Sequence, residues 1–281
     1  MVELYERGPF FLPVATSRVA MAKPVTLKRH ASNREGEDLV EPLPADLDLK
    51  KAKIVLYGFD LSPPCNKVRT LLNFYDVPYE YVEAQPYSKP AGLEDPSYGK
   101  VPKLVIDGRQ VNDSAVIYRT LVPYLTGVPL TAAEVALEKE NNIKGLMGAL
   151  EKESFGSYFG IVGAARALTA TWTSRSGSLV KPWLPYAAGL FWPVGWAVVG
   201  RVTPHGRDGS SIESGHKFRK ALGDGPYFHG DTIGPLDLSL FGTLKSFVHM
   251  RSPPASAVLN QCGLRAWYER CDAAIALTFE Q

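Results

Sequence analysis

The stretch Lys53-Ile-Val-Leu-Tyr-Gly-Phe-Asp-Leu-Ser62-Pro-Pro-Cys65-Asn-Lys-Val-Arg-Thr-Leu-Leu72 decides the fold. Residues 53–59 are a short apolar run of buried-strand type. Ser62 before Pro63 and Pro64 is a helix start: a hydroxyl caps free amides, and proline is tolerated in the first turn. Val68, Leu71, Leu72 and Tyr75 then recur at helical spacing, and Asp76-Val-Pro78 closes that helix. Tyr79-Glu-Tyr-Val-Glu83 alternates like a second strand. Lys103–Ile106, Asp107-Gly108 and Arg109–Val111 read as a hairpin with a two-residue turn. Asn112-Asp113-Ser114 supplies caps for a helix ending near Leu125. The order is β-α-β, a loop, a β-hairpin and a helix, an α/β unit over 52–126.

Downstream, 127–131 is a linker. Thr131 with Glu134 is a capping box that opens one long predicted helix over 132–153. The remainder, to 281, is helical in character apart from a Gly/Pro/Ser-rich span near 203–215. Gly234-Pro235-Leu236-Asp237 is another helix start, with Asp237 placed to bond back to free amides. The expected fold class is therefore α/β plus all-α, with a helical domain over 132–281.

At 281 residues the chain fits two domains. Apolar residues at 45% and charged residues at 21% exclude a disordered or fibrous protein. A net charge of +2 gives no ground for a nucleic-acid partner. The three cysteines, Cys65, Cys262 and Cys271, are too few and odd in number for a disulfide scaffold and fit a reducing compartment. Cys262 and Cys271 read as packed thiols. The scattered histidines lack zinc spacing, no metal is assigned, and His205 and His229 have no evident partner.

Charge is unevenly spread. Arg7 to Arg34 holds six bases and no acid, and Glu35 to Asp48 holds six acids and no base. Residues 1–51 read as an arm with an acidic linker. The acid-free run suits a mitochondrial leader, against which Glu3 and Glu6 count. Residues 154–207 contain no acid and four of the five tryptophans. Within them 182–200 is uncharged over 19 residues, near the ~20 that span a bilayer, though Pro185 and Pro193 would kink a helix. This segment reads as a core or partner-facing helix, an interfacial contact or a span. Its bases and tryptophans suit an anionic membrane surface or a membrane-protein partner.

Ser62-Pro63-Pro64-Cys65, Val101-Pro102 and Asp113-Ser114, in this order, resemble the thioredoxin-like amino-terminal domain of glutathione transferases, followed by their helical domain. Within that superfamily Lys100-Val-Pro102, Val111–Ile117, Gly230–Leu240 and Trp267-Tyr268 resemble the membrane-associated prostaglandin E synthase type 2 group. The resemblance implies glutathione as ligand. It implies a cis Val101-Pro102 bond whose preceding backbone pairs with the cysteinyl part of glutathione. Asp113 and Ser114 would hold the γ-glutamyl carboxylate at a helix start. Ser62 would donate to the glutathione thiolate. Cys65, one turn into the helix, reads as a nucleophile or as a thiol packed against the sheet. Ser62 and Asp113-Ser114 read equally as plain caps.

That group carries Cys-x-x-Cys with a tyrosine three residues before; here Ser62 and Phe59 stand at the first Cys and the tyrosine. Dithiol exchange needs a second sulfur and is excluded, and prostaglandin isomerisation by those residues is in doubt. Two functions follow. One is a glutathione-binding protein that conjugates a small apolar electrophile. The other is a catalytically silent accessory subunit of a membrane complex, membrane-associated and mitochondrial in setting, with the transferase fold as scaffold.

Overall fold

The computed structural model describes residues 42–84, 98–156, 161–163, 165–167 and 209–275. Its sheet has four strands: β1 (Ile54–Gly58), β2 (Glu80–Glu83), β3 (Lys103–Ile106) and β4 (Arg109–Asn112). They lie in the order β2-β1-β3-β4. β1 runs parallel to β2 and antiparallel to β3, and β3 is antiparallel to β4. A parallel pair needs a crossover, which α1 (Pro63–Phe74) supplies. Asp107 and Gly108 both adopt positive φ, 48° and 86°, as a two-residue turn between twisted strands requires. The α/β unit read from the sequence is present, in the expected order.

Seven more helices follow among the described residues: α2 (Ser114–Thr126), α3 (Ala132–Glu140), α4 (Leu146–Phe155), α5 (Ser211–Leu222), α6 (Pro235–His249), α7 (Pro253–Gln261) and α8 (Arg265–Ala274). α1 is buried on nearly every side, packed chiefly against α6 and also against α2. Leu56 and Leu104 of the sheet and Leu71 and Leu72 of α1 are fully enclosed in one core, each contributing about 1.5–3 kcal/mol of hydrophobic stabilisation. α6 approaches α1 at Gly242, where any Cβ would sit 2.7 Å from the Asn66 carbonyl oxygen.

The predicted single helix over 132–153 is two helices. Thr131 and Glu134 form their reciprocal capping box, but α3 stops at Asn141. The Asn141 amide nitrogen donates to Ser239 Oγ of α6 at 2.8 Å. Asn142 Oδ1 accepts from the Ile143 amide at 2.6 Å, so asparagine side chains compete with the helical ladder. The chain then doubles back so tightly that a Cβ on Gly145 would meet the Glu140 carbonyl oxygen at 2.1 Å. The Gly/Pro/Ser-rich span also ends earlier than expected. α5 is helical from Ser211, because Gly215 lets it lie directly on Cys262 of α7.

Residues 42–51 are packed in place. Leu43 and Leu49 are buried in the core. Arg109 donates to the Pro42 carbonyl at 3.1 Å and Tyr124 to the Leu43 carbonyl at 2.9 Å. The 182–200 segment and residues 1–41 lie outside the described residues. Among the described residues no helix is long and apolar enough to cross a membrane.

Candidate functional site

Three connections converge on one end of the sheet. β1 leaves at Gly58, β3 enters at Lys103, and β4 leaves at Asn112. The pairings Tyr57 with Lys103 and Lys103 with Asn112 place these termini side by side. The loop to Ser62, the Val101-Pro102 bond and the Asp113-Ser114 helix start therefore share that end. The strand register, not any contact between the three, brings the sequence-predicted residues together.

Asn66 and Arg69, both on α1, hold the first connection. The Asn66 amide nitrogen donates to the Asp60 carbonyl at 2.6 Å and to Ser246 Oγ at 2.8 Å. Arg69 donates to Asp60 Oδ1 and to Asn66 Oδ1, each at 3.1 Å. Ser62 has the extended conformation of an N-cap, and its carbonyl accepts from the Cys65 and Asn66 amides at 3.0 Å. Its hydroxyl, however, caps no helix amide. That corrects the sequence reading. The hydroxyl acts instead on the Cys65 thiol, one turn further on, whose ionisation it favours.

Cys65 is fully buried. A Cβ on Gly58 would lie 3.2 Å from its Sγ and 3.0 Å from the Tyr81 hydroxyl, so strand, thiol and phenol are in close contact. Burial pushes the thiol up to about 11, against smaller downward pulls from Ser62, the Phe59 backbone and Arg69. At neutral pH this group is a thiol. Burial favours the thiol over the thiolate that a nucleophile needs, which suits the packed alternative.

The bond between Val101 and Pro102 is cis. Val101 is half-buried, and Pro102 is buried behind it. Asp113 sits at φ 75°, ψ 125°, an uncommon backbone state for a residue with a side chain. Its Oδ1 accepts from the Ala115 amide at 2.8 Å, so the capping role is filled. Ser114, 6% exposed, begins α2.

A groove of about 910 Å³ with a mixed polar and apolar lining opens beside α2, between the 42–47 segment, Val116, Arg119, Pro123 and Val135. None of the six candidate residues lines it. Among the described residues no group of His, Cys, Asp or Glu is arranged to hold a metal ion.

The family described as "Glutathione S-transferase, N-terminal domain" matches residues 56–122. Over that stretch the chain is similar to glutathione transferase amino-terminal domains. The chain is also similar to Prostaglandin E synthase 2 of Danio rerio, at 33% identity over 112 residues, 40% of this chain and 28% of the relative. Prostaglandin E synthase 2 of Mus musculus is 37% identical over 105 residues, 35% of this chain and 27% of the relative. The match thus spans little more than a quarter of either relative's length. A possible glutathione S-transferase from Rhodopseudomonas palustris, 19% identical, superposes with a TM-score of 0.50, covering 81% of this chain and 98% of that one. This shows a shared fold: a thioredoxin-like domain followed by a helical region.

Sequence reasoning missed two side-chain contacts around this domain. His229 Nε2 lies 2.6 Å from Glu134 Oε1, fastening the 227–232 turn to the start of α3. Lys67 is buried and ion-paired with Glu138. A signal for Lys67 was present: it stands four residues before Leu71, on the same helix face. Nothing local marks the partners, which are distant in sequence.

Proposed function

We propose that this protein binds glutathione at the sheet end shared by Ser62, Val101-Pro102 and Asp113-Ser114, and conjugates it to a small apolar electrophile. The observation that carries the reading is Asp113. A non-glycine residue at φ 75° persists only where the surroundings hold it, and such states gather at ligand-binding positions. The helix start that it opens lies at the sheet end, where the helix dipole and the amides beside the capped Ala115 N–H would favour a carboxylate. The Val101 backbone would pair with the cysteinyl part of the peptide. The glutathione thiol would lie near Ser62, whose hydroxyl donates to the sulfur as its proton leaves to solvent. The sulfur lone pair then forms the new C–S bond while the electrophile's leaving group departs with its own bonding pair. Cys65 takes no part as a nucleophile.

The transferase domain match and the resemblance to Prostaglandin E synthase 2 support the setting of this chemistry. In the test, glutathione at about 100 times its dissociation constant stabilises the protein by about 2.7 kcal/mol. Conjugation of a chloronitrobenzene falls about 10²-fold in Ser62→Ala, the scale for losing one donor to a developing anion. No thermal shift with glutathione overturns the reading.

One observation favours a second reading, a silent scaffold. The Ser62 hydroxyl acts on the fully buried Cys65 thiol, whose ionisation it favours. On this reading the fold serves as an accessory subunit of a membrane complex, mitochondrial in setting, with 154–207 facing lipid or a membrane protein. Carbonate extraction and native gels separate the two: full release as a monomer rejects the scaffold.

A further inference from the structure

Ser62, the donor in the glutathione reading, stands at the end of a short loop whose anchors lie on α1. Asn66 holds that loop on both sides of Leu61. Its backbone amide donates to the Ser62 carbonyl at 3.0 Å, and its side-chain nitrogen donates to the Asp60 carbonyl at 2.6 Å. Leu61 between them is buried in the core. Asn66 Oδ1 accepts from Arg69, which also holds the Asp60 carboxylate. The Ser62 amide closes back on the Phe59 carbonyl at 2.9 Å. The backbone that carries the hydroxyl is thus fixed before and after residue 61.

The Asn66 side-chain nitrogen makes a second donation, to Ser246 Oγ of α6 at 2.8 Å. α6 is seated there by Gly242, one turn before Ser246: a Cβ at that glycine would lie 2.7 Å from the Asn66 carbonyl oxygen. Glycine lets the two backbones meet, and Ser246 then falls within reach of Asn66. Asn66 itself is completely enclosed. Its amide can be placed only one way round, since a carbonyl requires a donor and a guanidinium an acceptor. Neither aspartate nor leucine, of similar size, offers that pair. A single side chain therefore joins the loop of the α/β unit to the helical region.

We propose that Asn66 is a positioning residue for the Ser62 donor: it ties the Asp60–Ser62 loop to Ser246 of α6 and so fixes where the hydroxyl meets the glutathione sulfur. This rests on the glutathione reading and names what holds its donor. A hydrogen bond to a developing thiolate depends on the donor's place, and a group a fraction of an ångström out of line loses much of its effect. The residues that would hold the peptide lie elsewhere, at Val101-Pro102 and Asp113-Ser114. Displacing Ser62 therefore weakens ionisation of the bound thiol and leaves affinity for the peptide largely intact.

The experiment follows the ultraviolet absorbance of the bound glutathione thiolate against pH in the full chain, together with conjugation of a chloronitrobenzene. In Asn66→Ala the bound thiol is expected to titrate about one pH unit higher than in wild type, the weight of one charge-assisted hydrogen bond. The kcat falls about tenfold, less than the ~10²-fold for loss of the donor itself, and KM for glutathione stays within about twofold. In a Ser62→Ala background the same substitution changes neither quantity further, because the donor it positions is gone. A role in the fold alone gives equal losses in both backgrounds, and that result overturns the proposal. So does a folded Asn66→Ala with the wild-type titration and kcat. Should Asn66→Ala not fold, Ser246→Ala is read in its place, since it keeps the Asp60 contact and cuts the tie to α6. A raised thiol titration there supports the proposal, and an unchanged one overturns it. In each of these overturning cases the glutathione reading stands. No glutathione binding by the wild type overturns both.

Discussion

The indole N–H of Trp267 donates to Asp237 Oδ1 across 2.7 Å, tying α8 to the first turn of α6. The same carboxylate accepts from the Phe228 amide at 3.1 Å and from the Gly234 amide at 2.9 Å. It is fully buried. One side chain therefore closes a helix start, a turn and a helix packing.

Asp237→Ala strands these three donors. Each unsatisfied buried group costs about 1–3 kcal/mol, so a loss of roughly 3–5 kcal/mol is expected in chemical denaturation. Asp237→Asn keeps one acceptor and should recover part of it. Equal melts for Asp237→Ala and wild type would show that the loop finds other acceptors.

Gly242 is the contact point of α6 with α1. A Cβ there would lie 2.7 Å from both the Asn66 carbonyl oxygen and Thr70 Oγ1, and 2.8 Å from Lys67 Cα. Two of these are backbone atoms that cannot rotate aside. Gly242→Ala should cost about 1–3 kcal/mol by overpacking, read as a lowered Tm.

Cys65 should resist alkylation. Iodoacetamide at pH 7.5 is expected to leave it unlabelled in the native protein and to label it after denaturation, as followed by mass spectrometry. Its ordinary value of 9.0 rises to about 11 on folding. Between those values the folded chain keeps a proton that the unfolded chain loses. Its contribution to stability is therefore full below pH 9 and drains away as pH rises towards 11. Cys65→Ala should flatten that alkaline decline. Rapid native labelling would contradict the burial.

Glu151 on α4 gives a second pH signature. Burial lifts its carboxyl from 4.5 to about 7. The folded state holds the proton more tightly, so stability is complete below pH 4.5 and falls as pH rises through 7. Glu151→Gln should match wild type at pH 4 and exceed it by about 3 kcal/mol at pH 8. A variant less stable than wild type at pH 8 would mean that the ionised carboxylate has found a partner.

How much was legible depended on how far apart the deciding residues lie. Ser62-Pro63-Pro64 and Asp107-Gly108 act on their own backbone, so the strand-helix unit and the hairpin could be read directly. The Thr131–Glu134 and Gly234–Asp237 boxes are equally local. The break after Glu140 was hidden, because Asn141 answers to Ser239, 98 residues away. His229 had no visible partner for the same reason: Glu134 is 95 residues distant. Ser62 shows a subtler limit. Its place at a helix start was plain, but a hydroxyl in reach of both a thiol and free amides is assigned only by three-dimensional packing.

The hairpin acts as a ruler. Lys103 faces Asn112 only because two residues, Asp107 and Gly108, separate strands of equal length. Successive strand residues point to opposite faces and advance about 3.3 Å each. A single inserted residue would either draw Asp113 back by that step or turn the end of β4 inside out. Natural variants of this chain should therefore hold the length of that turn fixed and draw its two residues from the few that tolerate positive φ.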